Sequence, residues 1–426
     1  MVLHRAGVMT RTLALALLAL TACDPGAIPP PGEEVASKAQ RITAAAPDAD
    51  VAAAVNSNTA LGLELLAKHP DGNFLLSSYS ITAAASLLSA GAGGDTLRGI
   101  ETALQQTLPA AQHHRAMNTL EAAVESRGAN AKGKDGKPFR LVVSNQLFAQ
   151  KGQHLESAYL DTLAQEYGAG LRLLDFSTDA ARQSINTWVS QRTEGKIAEL
   201  FERDSLLGAR LAVVNTLYFN AAWAESFAAA NTTRQPFTLL DGSQASVSMM
   251  RNKRLTQARS AIVDGTQVLE LPYDGGDVSL VVLAPSTGQF EPFARGLDAA
   301  TVATLVAALQ SAPHDVSLPK FNFATELQLR TDLQSLGMVD AFAPDKADFS
   351  GMTGDRSLYV DEAVHKAVIA LDESGTEAAA ATGFSTRAVS LPPEPVVVVI
   401  DRPFFFFIRD VKTGLMLFTG RVVNPG

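Results

Sequence analysis

Leu371-Asp372-Glu373-Ser374-Gly375-Thr376-Glu377-Ala378-Ala379-Ala380-Ala381-Thr382-Gly383-Phe384-Ser385-Thr386-Arg387-Ala388-Val389-Ser390-Leu391-Pro392-Pro393-Glu394-Pro395 supports two local readings. Alanine is the best helix former, so Glu377–Ala381 favours a short helix that Gly383 could end. Alternation points elsewhere. Thr376, Ala378, Ala380, Thr382, Phe384, Thr386 and Ala388 carry no charge, while Glu377 and Arg387 fall on the opposite parity. A strand sends successive side chains to opposite faces. As a strand, the run has a small uncharged inner face and a charge-tolerant outer one. Small side chains at Ala378–Ala381 would let it slide between existing strands.

The run Asp372–Thr382 resembles the hinge of a reactive-centre loop in the inhibitory type of serpin. Downstream, Val398-Val399-Ile400-Asp401-Arg402-Pro403-Phe404-Phe405-Phe406-Phe407-Ile408 is similar to that family's C-terminal signature. The resemblance implies an α+β fold of mixed sheets: a large central sheet A with sheets B and C, about eight to nine surrounding helices and an exposed reactive-centre loop. It covers roughly residues 50–425. Further blocks carry it: Asn73–Ile81, with Ser78 where proline is common; Ile185-Asn186 with Gly195-Lys196-Ile197; Asn215, Asn220-Ala221-Ala222-Trp223 and Phe227; Leu318-Pro319-Lys320; Phe349-Ser350-Gly351-Met352; and Val360–Leu371.

Composition agrees with a large globular chain. The 426 residues carry a net charge of −9, with 46% hydrophobic and 19% charged residues, which is ample length for a large core. The acidic balance argues against nucleic acid as the main partner. Cys23 is the single cysteine, so no intrachain disulfide can form.

Residues 1–22 read as an export signal. Arg5 and Arg11 precede the apolar run Leu13–Leu20, too short for a stable span. Leu20-Thr21-Ala22-Cys23 resembles a bacterial lipobox, which implies lipidation of Cys23 and a membrane anchor by buried methylenes. Residues 23–47 read as a tether. Pro25, Pro29, Pro30 and Pro31, with Gly26 and Gly32, argue against regular structure there. The folded domain is expected over 48–426. The location implied is the bacterial envelope, periplasmic or at the cell surface, and a monomer is expected.

Periodicity places a helix over Val51–His69, an Ala/Leu helix over Ala83–Ala90, and a hairpin at Tyr273–Asp277 between two strands of Val268–Pro285. Gly91-Ala92-Gly93-Gly94 lacks the lysine of a phosphate loop and reads as a turn. Val396–Ile400 and Phe404–Ile408 are apolar on both parities, the pattern of strands buried on both faces. Lys132-Gly133-Lys134-Asp135-Gly136-Lys137 reads as a solvated basic loop, with polyanion binding, which the serpin resemblance allows in this region, as the alternative. His113 and His114 are adjacent and diverge on a helix, so no metal site is expected.

Motifs for catalysis are absent: no Gly-x-Ser-x-Gly, no His-Glu-x-x-His and no spaced cysteine cluster. The chain reads as a non-enzyme that needs no cofactor. By resemblance, its partner is a serine protease that attacks the loop and is trapped as an acyl complex while the loop inserts as a strand. The resemblance also implies the cut: matching Gly375-Thr376-Glu377 forward and Ser390–Glu394 backward to the family's loop gives the same bond, Val389–Ser390. Valine suits a small apolar elastase-like pocket; Arg387 is the alternative, for a trypsin-like enzyme. The hinge comprises Glu373, Gly375, Thr376, Glu377, Ala378, Ala379, Ala380, Ala381 and Thr382. Trp223, Lys320 and Glu373 match the breach, with an ion pair expected between the last two. Ser77, Ser80, Asn215 and His365 match the shutter. A non-inhibitory serpin-fold carrier, and an envelope binding lipoprotein without a protease partner, are the competing readings.

Overall fold

The computed structural model describes residues 28–376 and 394–426. Strand β1 (Glu33–Val35) precedes helix α1 (Asp48–Lys68), strand β2 (Phe74–Leu76) and helices α2 (Ser78–Ser89), α3 (Gly94–Ala103) and α4 (Ala110–Glu125). Next come β3 (Arg140–Gln150), α5 (Ser157–Tyr167), β4 (Leu171–Leu174), α6 (Ala180–Arg192) and the long strand β5 (Leu211–Ala222). An all-β stretch follows: β6 (Thr233–Thr238), β7 (Gln244–Leu255), β8 (Arg259–Val263), β9 (Thr266–Pro272) and β10 (Val278–Ala284). Helices α7 (Phe290–Gly296) and α8 (Ala299–Ala307) lead to β11 (Gln310–Ser311), β12 (His314–Pro319) and β13 (Phe321–Gln328). Helices α9 (Leu329–Ser335) and α10 (Ser350–Thr353) precede β14 (Glu362–Leu371) and the two-residue β15 (Gly375–Thr376). Strands β16 (Val396–Val399), β17 (Phe404–Asp410) and β18 (Met416–Val422) complete the chain. The described residues thus hold ten α-helices, of which α10 is a single turn, and two 3-10 turns at Ala229–Asn231 and Asp340–Phe342, close to the eight or nine helices expected.

Three sheets result. The first runs β1-β4-β3-β5-β14-β13, with β15 paired to β5; the second runs β11-β8-β9-β10-β17-β18-β2; the third runs β16-β12-β7-β6. The first sheet separates two apolar clusters. Leu211, Val213, Leu217, Phe219 and Ala221 of β5 face the main core, whereas Ala212 and Val214 face Ile185, Trp188 and Val189 of α6. Alternation along one strand therefore covers both sides of the sheet.

The central seam decides the state of the molecule. Strands β5 and β14 pair directly and in parallel, from Glu362↔Ala212 to Ala367↔Leu217. No other strand lies between them there. At the far end β15 occupies the fork, antiparallel to β5 through Gly375↔Ala222 and Thr376↔Ala221.

Two expectations change. The Pro/Gly-rich segment is not free of regular structure in its described part. Glu33–Val35 pairs with Leu171–Leu173 as an edge strand, because a strand edge satisfies backbone groups that a Pro-flanked segment cannot pair internally. Arg41 bonds Asn118 at 2.9 Å and Glu121 at 2.9 Å, and the Trp188 indole N–H donates to the Ile28 carbonyl at 3.0 Å. Packing therefore begins by residue 28, not 48. The second change is β16. Double-sided burial holds for Phe404–Phe407 but not for Val396, Val397 and Val399, which are exposed. β16 is the edge strand of the third sheet, and Val396 and Val397, on opposite faces, both meet solvent there, with only Val398 buried. Among the described residues no helix is long and apolar enough to cross a membrane.

Candidate functional site: hinge, breach and shutter

β14 ends at Leu371, and the chain folds back at once. Asp372 N–H donates to the Gly375 carbonyl at 2.9 Å, and Gly375 N–H returns to the Asp372 carbonyl at 3.2 Å. Gly375 sits at φ +136°, and a Cβ there would lie 2.2 Å from the Ala221 carbonyl oxygen. Only glycine permits both the dihedral and the close approach to β5.

The side chains of Trp223, Thr232 and Lys320 and the backbone N–H groups of Trp223 and Phe227 hold this turn. The buried Trp223 donates its indole N–H to the Asp372 carbonyl at 2.9 Å and stacks on Tyr273 with centroids 4.6 Å apart. Its backbone N–H donates to the Ser374 carbonyl at 2.9 Å, and Phe227 N–H donates to the Glu373 carbonyl at 2.8 Å. Lys320 Nζ lies 2.8 Å from Glu373 Oε2, so the expected ion pair is present. Thr232 Oγ1 donates to Glu373 Oε1 at 2.6 Å. Burial pushes the Glu373 carboxyl up, but hydrogen bonds from Lys320 and Thr232 outweigh it and hold the pKa below the ordinary value.

The basic loop differs from the sequence reading at Lys134. That side chain is 1% exposed, and its Nζ donates to Asp372 Oδ2 at 2.9 Å and the Ala370 carbonyl at 3.1 Å. Burial lowers its pKa and Asp372 opposes the shift. Lys134 thus secures the turn at Asp372 as Lys320 does at Glu373. A lysine among lysines and glycines carries no sequence signal of burial, because its partner is more than two hundred residues away.

Beneath the seam lies a buried polar chain. Ser77 N–H donates to His365 Nε2 at 3.0 Å, which leaves Nδ1 to carry the imidazole proton toward Asn215 Oδ1. Asn215 Nδ2 donates to Asn145 Oδ1 at 3.0 Å, and Ser80 Oγ donates to the same oxygen at 2.8 Å. Ser77 Oγ caps α2 by accepting from Ser80 N–H at 3.1 Å. Sequence reasoning missed Asn145. Its signal was a lone polar residue on the parity of Leu141, Val143 and Leu147, which pack against the main core.

Burial lowers the His365 pKa to about 4. An unfolded histidine titrates near 6.5. The folded value is depressed, so this site's contribution is complete above about pH 6.5 and lost as pH falls toward 4. From pH 7 to 4.5 the loss is about 2–3 kcal/mol. Urea unfolding at both pH values should show that drop in the parent beyond the drop in His365→Gln. Equal slopes in both would contradict it.

Ser78 opens α2, and among the described residues its buried hydroxyl has no hydrogen-bond partner. Proline is suited to a first helical position. Ser78→Pro is expected to stabilise by about 1 kcal/mol, by removing an unpaired hydroxyl and stiffening the unfolded chain. An unchanged or lower urea midpoint would contradict this.

Glu377, Ala378, Ala379, Ala380, Ala381, Thr382, Arg387, Val389, Ser390 and Cys23 lie outside the described residues, as does the helix considered over Glu377–Ala381. The paired histidines are buried apart in function: His113 Nε2 meets Ser86 Oγ at 2.8 Å and His114 Nδ1 meets Tyr167. Among the described residues no group of three His, Cys, Asp or Glu is placed to hold a metal.

Comparison with known proteins bears on this geometry. The family model described as "Serpin (serine protease inhibitor)" matches residues 56–425. The chain belongs to the serpin family. It is 35% identical to leukocyte elastase inhibitor A of Mus musculus over 389 residues, covering 87% of this chain and 99% of that protein. Antithrombin-III of Homo sapiens is 33% identical over 364 residues, covering 84% of this chain and 78% of its own length. Among solved structures, the native state of the thermophilic serpin tengpin aligns at TM-score 0.78 with 24% identity, covering 92% of this chain and 97% of that one. Human thyroxine-binding globulin aligns at TM-score 0.75 with 28% identity, covering 88% and 99%. In serpin terms the first sheet is sheet A, and β5 and β14 are the strands between which a loop would enter. The chain is a serine protease inhibitor and not a catalyst.

Proposed function

We propose that this serpin traps an elastase-like serine protease as a suicide substrate, with the cut at Val389–Ser390. The observation that carries the reading is the closed parallel seam of β5 and β14 with the hinge seated in its fork. A strand site is vacant in pattern yet already opened at its entrance. The protease serine hydroxyl attacks the Val389 carbonyl and forms an ester, and the Ser390 amine leaves with the proton that the protease histidine took from the hydroxyl. The freed loop then runs down the seam and carries the acyl-enzyme with it. Serpin loop insertion is itself a standard example of an order–disorder switch.

Incubation with pancreatic or neutrophil elastase is the test. A covalent complex stable in detergent, with loop cleavage after Val389, supports the reading. Cleavage without trapping favours a non-inhibitory carrier, and no reaction with any serine protease favours an envelope binding lipoprotein. Val389→Arg should shift the second-order inhibition rate from elastase toward trypsin by at least about a hundredfold, because an arginine cannot enter a small apolar pocket. Unchanged preference would move the cut to Arg387.

The lipobox supports export and an anchor at Cys23. Because packing begins by Ile28, four residues, five Cα–Cα steps, would separate the acylated cysteine from the folded body. That chain spans at most about 18 Å, so the body would ride close to the lipid headgroups. Release of the protein from membranes by a Cys23→Ser change would support the anchor; retention would count against it.

A further inference from the structure

The parallel ladder between β5 and β14 ends at Ala367↔Leu217. In the same register Asn220 would face Ala370, but the two strands have already stopped bonding each other. One residue spans the gap at that level. Lys134 donates its backbone N–H to Asn220 Oδ1 on β5 at 2.9 Å, and its Nζ reaches the Ala370 carbonyl of β14 at 3.1 Å and Asp372 Oδ2 at 2.9 Å.

The two ends of this bridge are held differently. On the β5 side the attachment is backbone and redundant. Ala222 N–H donates to the Lys132 carbonyl at 3.0 Å, and a Cβ on Gly133 would lie 2.7 Å from Asn220 Oδ1, so glycine permits the close approach there. Lys132 N–H is fixed in turn by Asp274 Oδ2 at 2.8 Å. On the β14 side, among the described residues, the hydrogen bonds of this loop come from the Lys134 ammonium alone. That ammonium is out of water, so losing its partners leaves a charge that must be rehydrated or stay unpaired.

A strand entering between β5 and β14 moves them apart by about 4.8 Å. The loop follows β5, to which its backbone is tied. The Lys134 ammonium then leaves Ala370 and Asp372, and the Ala370 carbonyl becomes free to accept from a new neighbour. Lys320 differs in this respect: it follows β12 and grips Glu373 in the turn, without joining the two seam strands.

We propose that Lys134 is a positioning residue for inhibition: a latch across the upper seam whose release sets the rate of sheet opening. The proposal rests on the loop-insertion reading above. It separates two tasks at the fork, since Lys320 holds the hinge in place while Lys134 holds the strands together.

The test uses Lys134→Met, which keeps an unbranched apolar stem and removes the ammonium, and Asp372→Asn, which keeps the Ala370 bond and removes one charge. Calorimetry compares intact and loop-cleaved forms, with mass spectrometry confirming the cut. Intact Lys134→Met should melt about 3 °C below intact parent, whereas the two cleaved proteins should melt together, because the latch is already released in the inserted form. Trp223, whose indole bonds the Asp372 carbonyl, reports departure of the hinge by its fluorescence. At saturating protease that change should be about tenfold faster in Lys134→Met and about threefold faster in Asp372→Asn. An equal loss of melting temperature in intact and cleaved forms would make Lys134 an ordinary packing group and overturn the latch. So would a parental insertion rate in both variants. If cleaved parent melts no higher than intact parent, insertion itself fails and the latch fails with it.

Discussion

Thr376→Arg should turn this serpin from a trap into a substrate. Position 376 stands opposite Ala221, which is wholly buried on the core face of β5. An inserted strand would carry the new guanidinium into that face. The two nearby carboxylates are already engaged: Glu373 with Lys320 and Asp372 with Lys134. A buried charge without a partner costs several kcal/mol. Insertion would stall at its first step while the protease completes deacylation. The number of inhibitor molecules consumed per trapped protease should rise at least about tenfold, and the detergent-stable complex should vanish. Thr376→Val, uncharged and similar in size, should trap as the parent does. Trapping by the arginine variant at the parental rate would contradict the insertion mechanism.

Cutting the loop should raise the melting temperature by roughly 10 °C. The seam pairs over Glu362–Ala367 and Ala212–Leu217 and then diverges, so much of the upper length of both strands is open to a new neighbour. A strand entering between them gains on the order of ten backbone hydrogen bonds, at about 0.5–1.5 kcal/mol each. That total corresponds to a large thermal shift for a domain of this size. Calorimetry of intact and cleaved protein measures it. Coincident transitions would mean that the closed seam holds no energy in reserve.

The parity argument over Thr376–Ala388 drew its strength from chemistry that does not depend on the fold. Two charges on one face and none on the other is a pattern any strand would respect; the observed pairing with β5 reaches Gly375 and Thr376, at the start of that run. Periodicity likewise located α1 and the β9–β10 hairpin, because both are stabilised by neighbours close in sequence. It failed at β16, where an apolar run on both parities became an exposed edge. Hydrophobicity reports what a strand could bury, not whether a second strand arrives to bury it. It failed again for the Pro/Gly-rich segment, whose partners β4, α4 and α6 are supplied from elsewhere in the chain.

The amino-acid order alone determined the family resemblance, the glycine at 375 and the charge-free parity of the run from Thr376 to Ala388, since each expresses a local steric or solvation rule. Only the tertiary structure decided that Lys134 closes the breach, that Asn145 completes the polar chain below it, and that the seam is closed. Those facts depend on groups separated by tens to hundreds of residues meeting at hydrogen-bond distance. No local rule encodes such meetings; the packing of three sheets against one another does.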